Sequence, residues 1–293
     1  MAEQDMVEKT IEWYNDVFAD IVNVLLFDGK RIIPENALVP ETPLSLYKTD
    51  GKLHQQERDV SKYWKHRNVK IAILGLENQT CPDKDMPLRI ISYDGASYRS
   101  QLLEKEKSKK RFAVVTLVLY FGYKHRWTQP RNLLERLDVH EALKPYINDY
   151  HINVFEIAWL PDETVAKFKS DFRIIADYFV QMRKHRNYIP SQKQIQHVHD
   201  FLQLMTVMTG DKRYEEVYYK SGKELGNMCE VLDAVENRGR IQAHIAAVTR
   251  RLTRLLSRNL PIDAQEISDI AYDNGITVEE VKAIAKENGI SLS

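Results

Sequence analysis

Cysteine is nearly absent from this chain. Only Cys81 and Cys229 occur among its 293 residues, 148 positions apart. Two such thiols make neither a disulfide framework nor a zinc knuckle. They suit a reducing compartment, so a cytoplasmic protein is expected. An apolar run of the roughly 18 residues that cross a bilayer is also missing, and no membrane partner is expected. The first residues, Met1-Ala2-Glu3-Gln4-Asp5, are acidic and lack the basic-then-apolar layout of a secretory signal. Neither sign of charge prevails, since 42 Lys and Arg balance 42 Asp and Glu. That argues against a protein coated in positive charge, but leaves room for a local basic face. Gly-rich phosphate loops, a Gly-x-Ser-x-Gly elbow and a Cys-His nucleophile pair are all lacking. The remainder is ordinary globular material, 43% hydrophobic and 29% charged, enough for one large domain or two small ones.

The most informative stretch is Val69 to Gln79, a mainly apolar run that ends in Glu77-x-Gln79. A buried strand cannot cheaply carry a carboxylate at its end, so the charge must meet a cation or water. Glu77 and Gln79 are two apart and share one face of a strand. Asp59 lies eighteen residues upstream of Glu77, just before the alternating Val60-Ser61-Lys62-Tyr63-Trp64. A hairpin turning at His66-Arg67-Asn68 places Asp59 opposite residue 75 or 76, beside Glu77. Two carboxylates and an amide oxygen gathered at a sheet end can hold Mg²⁺, which takes oxygen ligands. The plainer alternative is a strand end with ordinary surface charges.

At these residues the chain resembles the recombination-promoting nuclease and putative transposase family, whose core is of the PD-(D/E)XK type. The resemblance is carried by Phe18-Ala19-Asp20-Ile21-Val22-Asn23, Arg58-Asp59-Val60, Leu74-Gly75-Leu76-Glu77-Asn78-Gln79-Thr80, Met86-Pro87-Leu88-Arg89 and Tyr93-Asp94-x-x-x-Tyr98. Further on come Leu117-Val118-Leu119-Tyr120-Phe121-Gly122 and Trp127. It implies an α/β, restriction-endonuclease-like core followed by an all-helical region. It also implies a Mg²⁺- or Mn²⁺-dependent endonuclease acting on DNA. Asp59 and Glu77 match the metal-binding acids, with the backbone carbonyl of Asn78 as a third ligand. Gln79 stands where the wider class often has lysine, so it can orient a water but carries no charge. Asp20 matches the polar residue of the first helix, with Asn23 second. Asp94 and Tyr98 sit where relatives place a pair that orients the site or a phosphate. A catalytically weak descendant that binds DNA or a protein partner is the competing reading.

Periodicity predicts a helix over 8–27, a loop over 31–50, strands at 58–65 and 69–78, a helix over 88–107, and strands at 112–121 and 152–157. From Asp162 the chain reads as helical: Asp162 to Arg183, 192–209 capped by Ser191, Gly222 to Arg238, and Arg240 to Arg258. Two short helices then flank Asn274-Gly275, with Thr277 and Glu280 as a capping box. This tail has helix-turn-helix form, but Glu279, Glu280 and Glu287 would repel phosphate, which favours a packing element. The expected division is 1–160, a nuclease-like core; 161–258, a helical region; and 259–293, a small helical tail. Lys105, Lys107, Lys109, Lys110 and Arg111 form a basic run suited to phosphate contact, or simply a solvated face. Arg250, Arg251, Arg254 and Arg258 have the same ambiguity. His197 and His199 would lie on different sides of a helix, which disfavours a shared ligand. A homo-oligomer built through the helical half is a further reading.

Overall fold

A computed structural model describes residues 10–41, 44–49, 52–57, 59–66, 69–103, 111–221, 226–258 and 260–290. Contacts within the chain divide it into two compact units, Met1–Asp211 and Lys212–Ser293. The first unit is mixed α/β and the second is helical.

In the first unit a helical turn at residues 10–12 breaks at Trp13 and Tyr14, and α1 runs over Asn15–Phe27. The break departs from the continuous helix predicted over 8–27, and Lys62 explains it. Its buried ammonium donates to the Trp13 carbonyl and, at 2.5 Å, to Asn15 Oδ1. A continuous helix would have used that carbonyl internally. Beyond the break, Val17, Phe18, Ile21 and Val22 of α1 are buried.

The predicted loop over 31–50 contains strand instead. β1 spans Leu38–Pro40, and β2, Leu44–Thr49, pairs with β3, Lys52–Glu57, as a separate hairpin. Pro40 closes an edge strand, where its missing N–H costs little. Then follow β4 (Val60–His66), β5 (Val69–Gln79), α2 (Met86–Leu103), β6 (Ala113–Tyr120), the short α3 (Leu133–Arg136) and β7 (Asn153–Glu156). The main sheet has the order β1-β4-β5-β6-β7. Its first three strands are antiparallel, and β5, β6 and β7 run parallel. β6 lies inside the sheet between β5 and β7, and its run Leu117 to Tyr120 is buried on both faces, as an unbroken apolar sequence requires. The crossover helix α2 packs Met86, Ile90 and Tyr93 against Val118 and Tyr120. Glu77 pairs with Val118 and Gln79 with Tyr120, so both polar residues lie on the sheet face that α2 covers.

The helices that follow are shorter than predicted. α4 covers only Asp162–Val165, and α5 begins at Phe172 and ends at His185. Between them the Lys169 and Ser170 N–H groups donate to the Asp20 carboxylate, which holds this turn out of a helix. α6 starts at Val198, not near Ser191, and ends at Thr209. Asp171 accepts the Gln196 and His197 N–H groups and fixes the chain ahead of α6 in a non-helical path.

In the second unit α7 (Arg213–Ser221) precedes α8, a single helix over Met228–Ser257. Two helices parted near Gly239 were expected. An interior glycine costs only about 1 kcal/mol, and without a proline the helix continues through it. α9 (Ala264–Asn274) and α10 (Val278–Glu287) meet at Gly275, φ +62°, and Thr277 and Glu280 form the predicted capping box. Val248 and Leu252 of α8 bury Ile267, Ile270, Val281 and Ile284, so the tail spends its apolar faces on packing.

Candidate active site

The antiparallel pairing of β4 with β5 sets Val60 opposite Leu76. Asp59, one residue ahead of β4, therefore stands opposite Glu77, within a residue of the place its spacing predicts. Asp59 Oδ2 accepts the Asn78 N–H at 2.7 Å, which anchors its carboxylate to the end of β5. Glu77 is 1% exposed. Its carboxylate receives the guanidinium of Arg89, from the first turn of α2, and Arg89 also reaches Asp83 at 3.0 Å and the Tyr93 hydroxyl at 3.4 Å. Burial opposes the charge on Arg89, but Glu77, Tyr93 and Asp83 outweigh it and raise its pKa above the ordinary value. The Tyr93 phenol is also raised, first by burial and then by the negative charges of Glu77 and Asp59. Asp59, Glu77, Arg89 and Tyr93 thus form one electrostatic cluster at the end of the sheet.

The opposite face of the same strand end is polar too. Asn78 points away from Glu77, and its Nδ2 donates to Glu12 Oε2 at 2.9 Å. Glu12 is only 2% exposed. Asn78 Oδ1 is buried without a hydrogen-bond partner among the described residues.

Other predicted residues lie elsewhere. The Asp20 carboxylate accepts from Lys169 N, Ser170 N and Ser170 Oγ at 2.6 to 2.8 Å and lines a separate polar cavity with Asn23, Arg31 and Lys169. Asn23 is likewise spent, giving and taking a hydrogen bond with the Ile33 backbone. Tyr98 accepts the Val114 N–H at 3.2 Å. Val114 lies four residues before Val118, the partner of Glu77. At the rise of a strand that is roughly 13 Å from the cluster, so Tyr98 does not orient it. Asp94 is buried and accepts from Thr116 Oγ1 at 2.6 Å and from the Tyr150 hydroxyl. His197 faces Asp16 and His199 faces Asp200, which agrees with their expected separation. Lys105, Lys107, Lys109 and Lys110 lie outside the described residues. Arg111, at the end of that run, donates to the Gln101 carbonyl.

Glu12, Arg89 and Tyr93 are absent from the predicted set. Glu12 extends the i, i+4 spacing of Asp16 and Asp20 by one step. Arg89 and Tyr93 are four apart on α2, and a cation one helix after a buried Glu is the pairing a buried charge demands. The donors at Asp59, Glu77 and the Asn78 carbonyl are hard oxygens, the class that suits Mg²⁺. The cluster already draws a cationic side chain onto Glu77, so its chemistry fits a divalent ion. Among the described residues no group of three or more His, Cys, Asp and Glu side chains converges as a metal cage. No helix is long and apolar enough to cross a membrane among these residues.

A family model described as "Putative transposase, YhgA-like" matches residues 64–212, just over half of the chain. The matched region contains Glu77, Gln79, Arg89 and Tyr93 but begins after Asp59. No curated protein and no solved structure matches the chain.

Proposed function

The chain belongs to the YhgA-like transposase family, and from that premise we propose that it is a Mg²⁺-dependent DNA endonuclease with a PD-(D/E)XK-type core. The observation that carries this reading is Asp59 and Glu77 held opposite each other at the end of β5. Asp59, Glu77 and the Asn78 carbonyl would hold Mg²⁺ or Mn²⁺. Once bound, the ion lowers the pKa of a water and offsets charge growing on the phosphate. Gln79, on the same face as Glu77, would orient the attacking water through its amide. Arg89, on leaving Glu77, would turn its fork toward the scissile phosphate.

One observation favours a second reading. The Glu77 charge is already met by Arg89, and position 79 offers no lysine. A protein that binds DNA or a partner and cuts weakly would have this arrangement. Supercoiled plasmid incubated with Mg²⁺ or Mn²⁺ separates the two. Nicking by the natural chain and none by Asp59→Ala supports the endonuclease. No nicking by either leaves the binding protein.

A further inference from the structure

Directly past Gln79 the parallel end of the sheet opens a cavity of about 330 Å³. Its walls are aromatic: Tyr120, Phe121, Tyr123 and Phe179 all line it. Phe121 and Phe179 lie with ring centroids 5.1 Å apart, and Tyr123 and Phe179 6.4 Å apart. The Phe121 N–H donates to the Gln79 carbonyl at 2.8 Å, so the cavity starts where the acidic cluster ends. The turn after β6 folds tightly over it. A Cβ at Gly122 would collide with the Tyr120 ring, and the Tyr120 hydroxyl donates to the His125 carbonyl at 2.9 Å.

That turn brings a cation, Lys124, to the rim. Lys124 and His125 line the cavity and are exposed. The Gly122 carbonyl accepts from Trp159 Nε1 at 3.2 Å, and two guanidiniums, Arg126 and Arg183, lie over the Trp159 ring at 4.6 and 4.9 Å. Arg126 is paired with Glu156 at 3.5 Å, so among the cavity's own lining residues Lys124 carries the positive charge, beside apolar walls. Aromatic platforms beside cations bind single-stranded nucleic acid, because every base has a π-face and every linkage a phosphate. The volume is near the lower end of small-molecule sites, which suits one base and excludes a duplex.

We propose that this cavity receives one unstacked base of single-stranded or splayed DNA, with Lys124 on the adjoining phosphate. The identity of the ligand rests on the nuclease reading, since the cavity adjoins Gln79. A base seated here would lead its strand past Asp59 and Glu77.

The test uses the full chain and a fluorescent oligothymidylate in EDTA, so that no cleavage occurs. The natural chain binds. Tyr123→Ala weakens binding about tenfold, the loss of one stacked base, and Tyr123→Trp retains it. Lys124→Glu weakens binding and flattens its salt dependence. In a Cys229→Ser background, the oligonucleotide slows maleimide labelling of Cys81, which lines the same cavity. Failure of the natural chain to bind overturns the proposal. So does equal affinity for Tyr123→Ala, Lys124→Glu and the natural chain, or labelling of Cys81 at an unchanged rate. Plasmid nicking is scored separately. Binding that depends on Tyr123 without nicking sinks the endonuclease and keeps the cavity. Nicking with binding indifferent to Tyr123 does the reverse.

Discussion

The guanidinium of Arg89 closes on the carboxylate of Glu77, joining the first turn of α2 to the last residues of β5. Glu77 is almost wholly buried, whereas the Arg89 side chain is 38% exposed. The pair is therefore unequal. Glu77 cannot reach water and must keep a cation, but Arg89 can swing out. A buried carboxylate facing a replaceable cation is the arrangement a metal site needs if the ion comes and goes.

Arg89→Ala tests this exchange. Removing the guanidinium leaves Glu77 buried beside Asp59, and one of the two carboxyls must take up a proton or a metal. Thermal stability at neutral pH falls by about 1–3 kcal/mol, discounted for the exposure of Arg89. Added Mg²⁺ restores more stability to the variant than to the natural chain, by mass action on the folded state. A melt shifted equally by Mg²⁺ in both proteins means that Arg89 and metal do not compete.

Gln79→Lys places an ammonium on the face shared with Glu77. The plasmid-nicking rate is expected to stay level or rise, while Gln79→Leu loses most of it. Leucine cannot hydrogen-bond a water, and lysine adds charge stabilisation. Equal rates for Gln79→Leu and the natural chain remove Gln79 from the chemistry.

Four of the five strands of the main sheet were legible because their signals are local, whereas β1 fell in the stretch expected to be loop. β6 is a continuous apolar run, and the β4–β5 hairpin follows from a period of two on either side of a short turn. The same pattern located Asp59 and Glu77, since register carries side chains to a common place. Arg89 was hidden by its neighbours, because a lone arginine in a helical pattern looks like any solvated face. What marks it is the buried acid a helix away. Asp20 misled for the opposite reason. It matches the family's first-helix polar residue by resemblance, but its partners, Lys169 and Ser170, lie about 150 residues on, beyond any periodicity. The break in the N-terminal helical segment at Trp13 depends likewise on Lys62, from strand β4.

Tyr98 and Asp94 divide cleanly in their consequences. Tyr98→Phe removes only an acceptor for the Val114 N–H at an exposed position, so nicking is unchanged and stability drops by less than about 1 kcal/mol. Asp94→Asn costs about 1–3 kcal/mol, because Thr116 and Tyr150 both donate to a carboxylate that asparagine cannot fully replace. Urea unfolding measures both. A Tyr98→Phe chain that is stable but no longer nicks DNA restores Tyr98 to the site.

Lys62 gives the pH dependence. It is 0% exposed, and burial brings its ammonium from 10.5 down to about 8 even though Asp16 favours the charge. The sign follows from proton counts. Between about pH 8 and 10.5 the unfolded chain holds the proton and the folded chain has released it. Unfolding free energy therefore rises with pH across that window, by up to about 3 kcal/mol from this residue. Below pH 8 both states are charged, and the full cost of burying the ammonium is present. Lys62→Met removes this slope, although it also leaves the Trp13 carbonyl without its donor. The informative quantity is thus the difference between the two proteins at each pH, taken from urea unfolding. The advantage of Lys62→Met should shrink as pH climbs from 8 toward 10.5. A difference that stays constant through the window would mean Lys62 keeps its ordinary affinity for the proton inside the fold.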